Sequence, residues 1–136
     1  GVKAGIHKFC LADTIGQADP KMVRDTIAIV KRVFPDEYLE VHFHDTRDMG
    51  VACTLASIEA GVPNVQAALG GLGGCPFAPG ASGNVASEDL IYMFQSMGME
   101  TGIDFDKMLK AAKYETTIID GNFSSHQIHI GEPCGK

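Results

Sequence analysis

His42-Phe43-His44, followed at once by Asp45, sets two imidazoles two positions apart. On an extended strand this spacing sends both side chains to one face. Two ring nitrogens there can share a cation, and the adjoining carboxylate can orient them. The plainer alternative is a pair of histidines that only hydrogen-bond at a strand end. Asn84 closes a glycine-rich stretch, GGLGGCPFAPGASGN, that begins at Gly70. Its amide oxygen is a hard donor, suited to Mg²⁺ or Mn²⁺ more than to zinc; taken alone, it is an ordinary loop or capping asparagine. Asp13 follows a short apolar run and could supply a carboxylate to the same pocket, or close an Asx turn or helix cap.

Cys75 sits in the middle of the glycine-rich stretch. Glycines beside it leave the thiol accessible and let backbone N–H groups cluster nearby, which favours a thiolate or an anionic neighbour. A flexible linker would be richer in serine and charge, whereas loops of this kind carry binding and catalytic groups. Cys10 and Cys53, on a predicted strand and helix, read as core cysteines. With Cys134 they make neither a CxxC pair nor a disulfide framework, which points to a reducing, cytoplasmic-type compartment. No Walker, dinucleotide or nucleophile-elbow pattern is present. His7, His126 and His129 have no partner pattern, and the sequon Asn122-Phe123-Ser124 reads as accidental without secretion.

Three strands and their helices must position these groups. Residues 6–12 and 38–44 read as strands, and Val65–Leu69 as a third. Asp19-Pro20 opens a helix whose Val23, Ile27, Val30 and Phe34 share one face, and Pro35 ends it. Residues 48–60 form the second helix. Ser87 is placed to cap the third, with Glu88 and Asp89 in its first turn, and residues 104–114 form the fourth. Residues 116–136 show no period. Strands alternating with helices predict an α/β fold with parallel strands. The polar residues after each strand then gather at the carboxyl ends, where such folds bind ligands.

The chain has 136 residues, 45% of them apolar, and a net charge of −6. That is enough for one core, and the acidic balance disfavours nucleic acid and anionic membranes as partners. No apolar run is long enough to span a membrane.

Leu11–Gly16, His42–Thr46, Gly71–Pro76, Gly80–Asn84 and Glu88–Leu90, in that order and spacing, resemble the hydroxymethylglutaryl-CoA lyases of the DRE-TIM metallolyase family. The cysteine loop is the most specific part. The resemblance implies a divalent cation, Mg²⁺ or Mn²⁺, held by His42, His44 and Asn84 with an aspartate from an earlier strand. It implies Cys75, Asp13 and His42 as catalytic residues, with the Cys75 thiol acting on the acetyl-CoA enolate. The implied reaction splits 3-hydroxy-3-methylglutaryl-CoA into acetyl-CoA and acetoacetate, in leucine degradation and ketone-body formation. Such a barrel needs about 250 residues, and the family's Asp-Arg-Glu strand has no counterpart here. The expectation is therefore the C-terminal part of a TIM (β/α)8 barrel, about strands 5–8, over residues 1–115, with 116–136 as a tail. Leu11, Val41 and Ala68 are expected on its inner face. An acyl-CoA is the expected substrate, with a second copy or an upstream half-barrel as partner, and the mitochondrial matrix as a second possible compartment. Alone, the chain is expected to be marginally stable and inactive. An acetyl-CoA-condensing synthase of the same superfamily and a non-catalytic metal-binding half barrel are the alternatives.

Overall fold

A computed structural model describes residues 1–74 and 80–130. The elements run β1 (Lys8–Asp13), α1 (Pro20–Val33), β2 (Tyr38–Phe43), α2 (Gly50–Glu59), β3 (Asn64–Gln66), α3 (Ser87–Ser96) and α4 (Phe105–Ile118), with short 3-10 turns at Val2–Ala4, Leu69–Gly71 and Gln127–His129. The three strands form one parallel sheet in the order β1-β2-β3. The parallel α/β arrangement is what the strand–helix alternation predicts, and it agrees with the partial barrel that the resemblance implies. Among the described residues no helix is long and apolar enough to cross a membrane.

Local chemistry sets the element ends. The Asp19 carboxylate accepts from the N–H groups of Lys21 and Met22, and Pro20 occupies the first helical position, so α1 starts there. Val23 and Ile27 on its inner face are buried. Along β2, Leu39, Val41 and Phe43 alternate inward as buried residues. They pack with Val23, Ile27, Cys53, Ala56, Val62, Val85 and Leu90 in one core between the sheet and its helices. Burying an aliphatic or aromatic side chain stabilises by about 1.5–3 kcal/mol, so this layer supplies most of the driving force.

Several expectations are corrected. The strand β3 covers Asn64–Gln66, not residues 65–69, because the chain turns at Gly70 and Gly71, both at positive φ. Beyond β3 there is one isolated parallel bridge, Ala68 to Ala86. Ala86 rather than Ser87 is the N-cap of α3; the Ser87 N–H donates to the Ala68 carbonyl instead. Leu11 and Val41 pair in register on the helix-packed face. The opposite face carries Cys10, Ala12, Glu40, His42, Asn64 and Gln66, so the inner face is mostly polar. Gln66 there donates to Glu40 at 2.5 Å. Cys10 is consequently exposed, and of the two described cysteines only Cys53 lies in the core.

Candidate metal centre at the carboxyl end of the sheet

Strand alternation aims His42 away from the helices, and His44 continues on the same side just past the end of β2. Their rings meet edge to face with centroids 5.3 Å apart. His44 is buried, 7% exposed, and His42 is half-buried. The Nδ1 atoms of both are buried, and among the described residues neither has a hydrogen-bond partner. An orphaned buried polar atom is costly, and in the Nε2-protonated tautomer each Nδ1 offers a lone pair. Burial pushes the His42 pKa down, the neighbouring His44 adds to the effect, and the Asn84 amide alongside pulls it partly back. A ring that resists protonation keeps its lone pair for a Lewis acid.

Asn84 is brought to this pair by the backbone. His44 and Asn84 form an isolated antiparallel bridge. On either side of it, Asp45 N–H donates to the Gly83 carbonyl at 2.9 Å and Val85 N–H to the Phe43 carbonyl at 3.2 Å. The Asn84 Nδ2 donates to the Leu72 carbonyl at 2.6 Å, which fixes the amide's orientation and leaves Oδ1 as its acceptor beside the His42 ring. Two neutral imidazoles and one amide oxygen make a donor set that fits a divalent cation of intermediate hardness. Among the described residues no group of three or more His, Cys, Asp or Glu side chains is placed to hold a metal.

Glycines let the two roots of the loop touch. A Cβ on Gly83 (φ 107°) would lie 2.0 Å from the Gly73 carbonyl oxygen and 2.8 Å from that of Gly71. A Cβ on Gly71 would lie 2.1 Å from Ser124 Oγ. Glycine here serves backbone-to-backbone contact beside Asn84. Cys75, the expected thiol, lies outside the described residues, as does Cys134.

Asp13 stands elsewhere. Its register partner is Phe43, whereas that of His42 is Ala12, so its side chain falls on the helix-packed face. Its carboxylate accepts from Gln17 N–H at 3.0 Å and Ala18 N–H at 2.8 Å, closing the loop after β1. Asp45 accepts from Gly50 N–H at 2.7 Å at the start of α2; burial pushes its pKa up, and that hydrogen bond opposes the shift.

Other supporting residues were invisible in the sequence. Arg47 Nη1 donates to the carbonyls of Ile15 and Gly16, stitching the loops after β1 and β2 together. Glu88, wholly buried, accepts the Gly70 N–H with both carboxylate oxygens. The Asp89 carboxylate takes the backbone N–H groups of His126 and Gln127. Each pairing joins residues distant in sequence, and no local pattern marks it.

The family model described as HMGL-like matches residues 2–114. The chain is 41% identical over 110 residues to a hydroxymethylglutaryl-CoA lyase of Bacillus subtilis, covering 81% of this chain and 37% of that protein. It is 40% identical over 121 residues to the mitochondrial hydroxymethylglutaryl-CoA lyase of Homo sapiens, covering 89% and 37%. The chain therefore spans little more than a third of the length of these relatives. Among solved structures, an HMG-CoA lyase from Acinetobacter baumannii in complex with coenzyme A and 3-methylmalate superposes with a TM-score of 0.88 at 40% identity, over 98% of this chain and 44% of that one. The carboxyl transferase domain of Rhizobium etli pyruvate carboxylase, at 22% identity and a TM-score of 0.73, shares the fold.

Proposed function

The chain belongs to the HMGL-like family, and on that footing we propose that it supplies the His42, His44 and Asn84 side of a divalent-cation site in a carbon–carbon lyase acting on 3-hydroxy-3-methylglutaryl-CoA. The observation that carries the reading is the pair of buried, unpartnered imidazole Nδ1 atoms beside Asn84. A bound Mg²⁺ or Mn²⁺ would supply positive charge that eases ionisation of a tertiary hydroxyl and orients a carboxylate. His42 and His44 enter as neutral donors, and the Leu72 carbonyl holds the Asn84 amide in the matching orientation.

Bond breaking then balances without a redox partner. The C3 hydroxyl gives up its proton, which returns through solvent to the thiolate left at the end of the cycle, and the C2–C3 bond breaks with its electron pair going to the acetyl-CoA enolate. C3 becomes the ketone of acetoacetate. The enolate carbon needs a proton, and the Cys75 thiol is the proposed donor. Asp13, proposed at the rim of the site, holds the loop after β1 through Gln17 and Ala18. The free outer edge of β1 among the described residues would be covered by a further strand, from an upstream half-barrel or a second copy.

In the intact protein, His44→Ala should weaken Mn²⁺ binding by at least about tenfold, the loss that follows removal of even an outer partner of a ligand. Acetoacetate release should fall with it. Undiminished Mn²⁺ affinity in His44→Ala, or full turnover after chelation, would overturn the metal reading. Release of free thiol from acetyl-CoA and a 2-oxo acid, with no cleavage activity, would turn the assignment to a condensing synthase.

A further inference from the structure

Residues 124–127 lie across the roots of the glycine-rich loop, and one carboxylate holds them there. Asp89, in the first turn of α3, does not cap its own helix. Its Oδ1 accepts from Gln127 N–H at 2.9 Å, and its Oδ2 accepts from His126 N–H at 2.9 Å and pairs with His126 Nδ1 at 3.0 Å. The Ser125 hydroxyl lies 3.4 Å from Oδ1, and Ser125 is buried. So anchored, the segment reaches both ends of the loop. Ser125 N–H donates to the Gly70 carbonyl at 3.3 Å. The Ser124 hydroxyl donates to the Asn84 carbonyl at 3.2 Å and fills the space beside Gly71.

We infer that Asp89 is a positioning residue for Asn84 and for the loop roots, acting through the Ser124–Gln127 strap. Backbone N–H donors bound to a carboxylate are charge-assisted and individually stronger than neutral pairs. Asp89 gathers several on one side chain, so its removal frees the whole strap. The Asn84 carbonyl then loses its hydroxyl donor, and the Gly70 carbonyl loses Ser125. The part of the inference that concerns cation affinity rests on the proposed ligand role of Asn84; the part that concerns loop order does not.

The test uses Asp89→Ala, Asp89→Asn and Ser124→Ala in the intact protein, with two readouts: amide hydrogen exchange and titration with Mn²⁺ alone. Asp89→Ala should speed exchange at residues 70–72 and 125–127 by about tenfold or more, since each hydrogen bond lost contributes about 1 kcal/mol. It should also weaken Mn²⁺ affinity about tenfold, as loss of an outer partner does. Asp89→Asn keeps an acceptor for the backbone N–H groups and should recover part of both. Ser124→Ala should weaken Mn²⁺ by a few-fold and leave exchange at 126–127 unchanged. Wild-type exchange at the loop roots in Asp89→Ala overturns the inference. If Asp89→Ala does not fold, Ser124→Ala decides, and wild-type exchange at residues 84–85 in that variant overturns it. If wild type and His44→Ala bind Mn²⁺ equally, the metal reading has failed, and the exchange arm alone judges the strap.

Discussion

Gly83→Ala should be among the most damaging single-methyl additions in the chain, and the structure says by how much. Two costs add. Gly83 sits at φ 107°, where an L-residue is disfavoured by about 1–2 kcal/mol, partly offset by about 0.4–1 kcal/mol from a stiffer unfolded chain. The new Cβ would also lie 2.0 Å from the Gly73 carbonyl oxygen, against 3.4 Å or more for an ordinary contact. The oxygen is backbone and the Cβ position is fixed by the backbone, so no rotamer change relieves the overlap, and overpacking of this kind costs about 1–3 kcal/mol. The net loss should be about 3 kcal/mol. Gly98→Ala is the control: φ is 78° there, and nothing lies within 4 Å of the added Cβ. It carries only the first cost, about 1 kcal/mol. Urea unfolding of both variants, compared at unchanged m-value, measures the difference. Mn²⁺ affinity should fall in Gly83→Ala alone, because Asn84 is the next residue. Equal destabilisation of the two variants would refute the claim that the loop roots are pinned in contact.

Cys10 is exposed, whereas Cys53 is buried and its thiol is pushed up to about 11, mainly by burial and then by Asp13. Iodoacetamide at pH 8 followed by peptide mass mapping should find Cys10 modified and Cys53 intact; comparable labelling would contradict the placement of β1. His126 should titrate above its ordinary value near 6.5, because its ring pairs with Asp89. A raised folded-state pKa means that the pair's contribution to stability is complete below about pH 6.5 and fades as pH rises through the folded value. NMR titration of the ring should show the elevation in wild type and its loss in Asp89→Asn, and an elevation that survives in Asp89→Asn would rule out Asp89 as the cause.

Much of this architecture is written locally. Asp19-Pro20 and the spacing of Val23 and Ile27 are enough to start α1 and aim it, and His42-Phe43-His44 declares a shared face because strand geometry leaves no other choice. Asn84 could be suspected from residue type, but its meeting with His44 depends on a bridge across the loop that no periodicity announces. Cys10 reads as a core residue from its apolar neighbours, but burial on a strand is a matter of parity: Phe9 and Leu11 take the packed side and leave the thiol outside. By the same parity Asp13 stands one position out of phase with His42. The Asp89 strap was unreadable because its partners lie 36 to 38 residues away, in a segment without pattern.

That separation has a consequence for biosynthesis. The contacts of β1 with β2 and of β2 with β3 join successive strand–helix units, so each can form soon after the later strand is made. Ser124 and Ser125 are among the last described residues, yet they bind the carbonyls of Asn84 and Gly70. During vectorial synthesis the sheet and its core can assemble while the loop roots still lack their clamp. The ligand cradle therefore acquires its final shape only after residues 124–127 have left the ribosome. A nascent chain arrested before them would hold a folded sheet with unclamped loop roots.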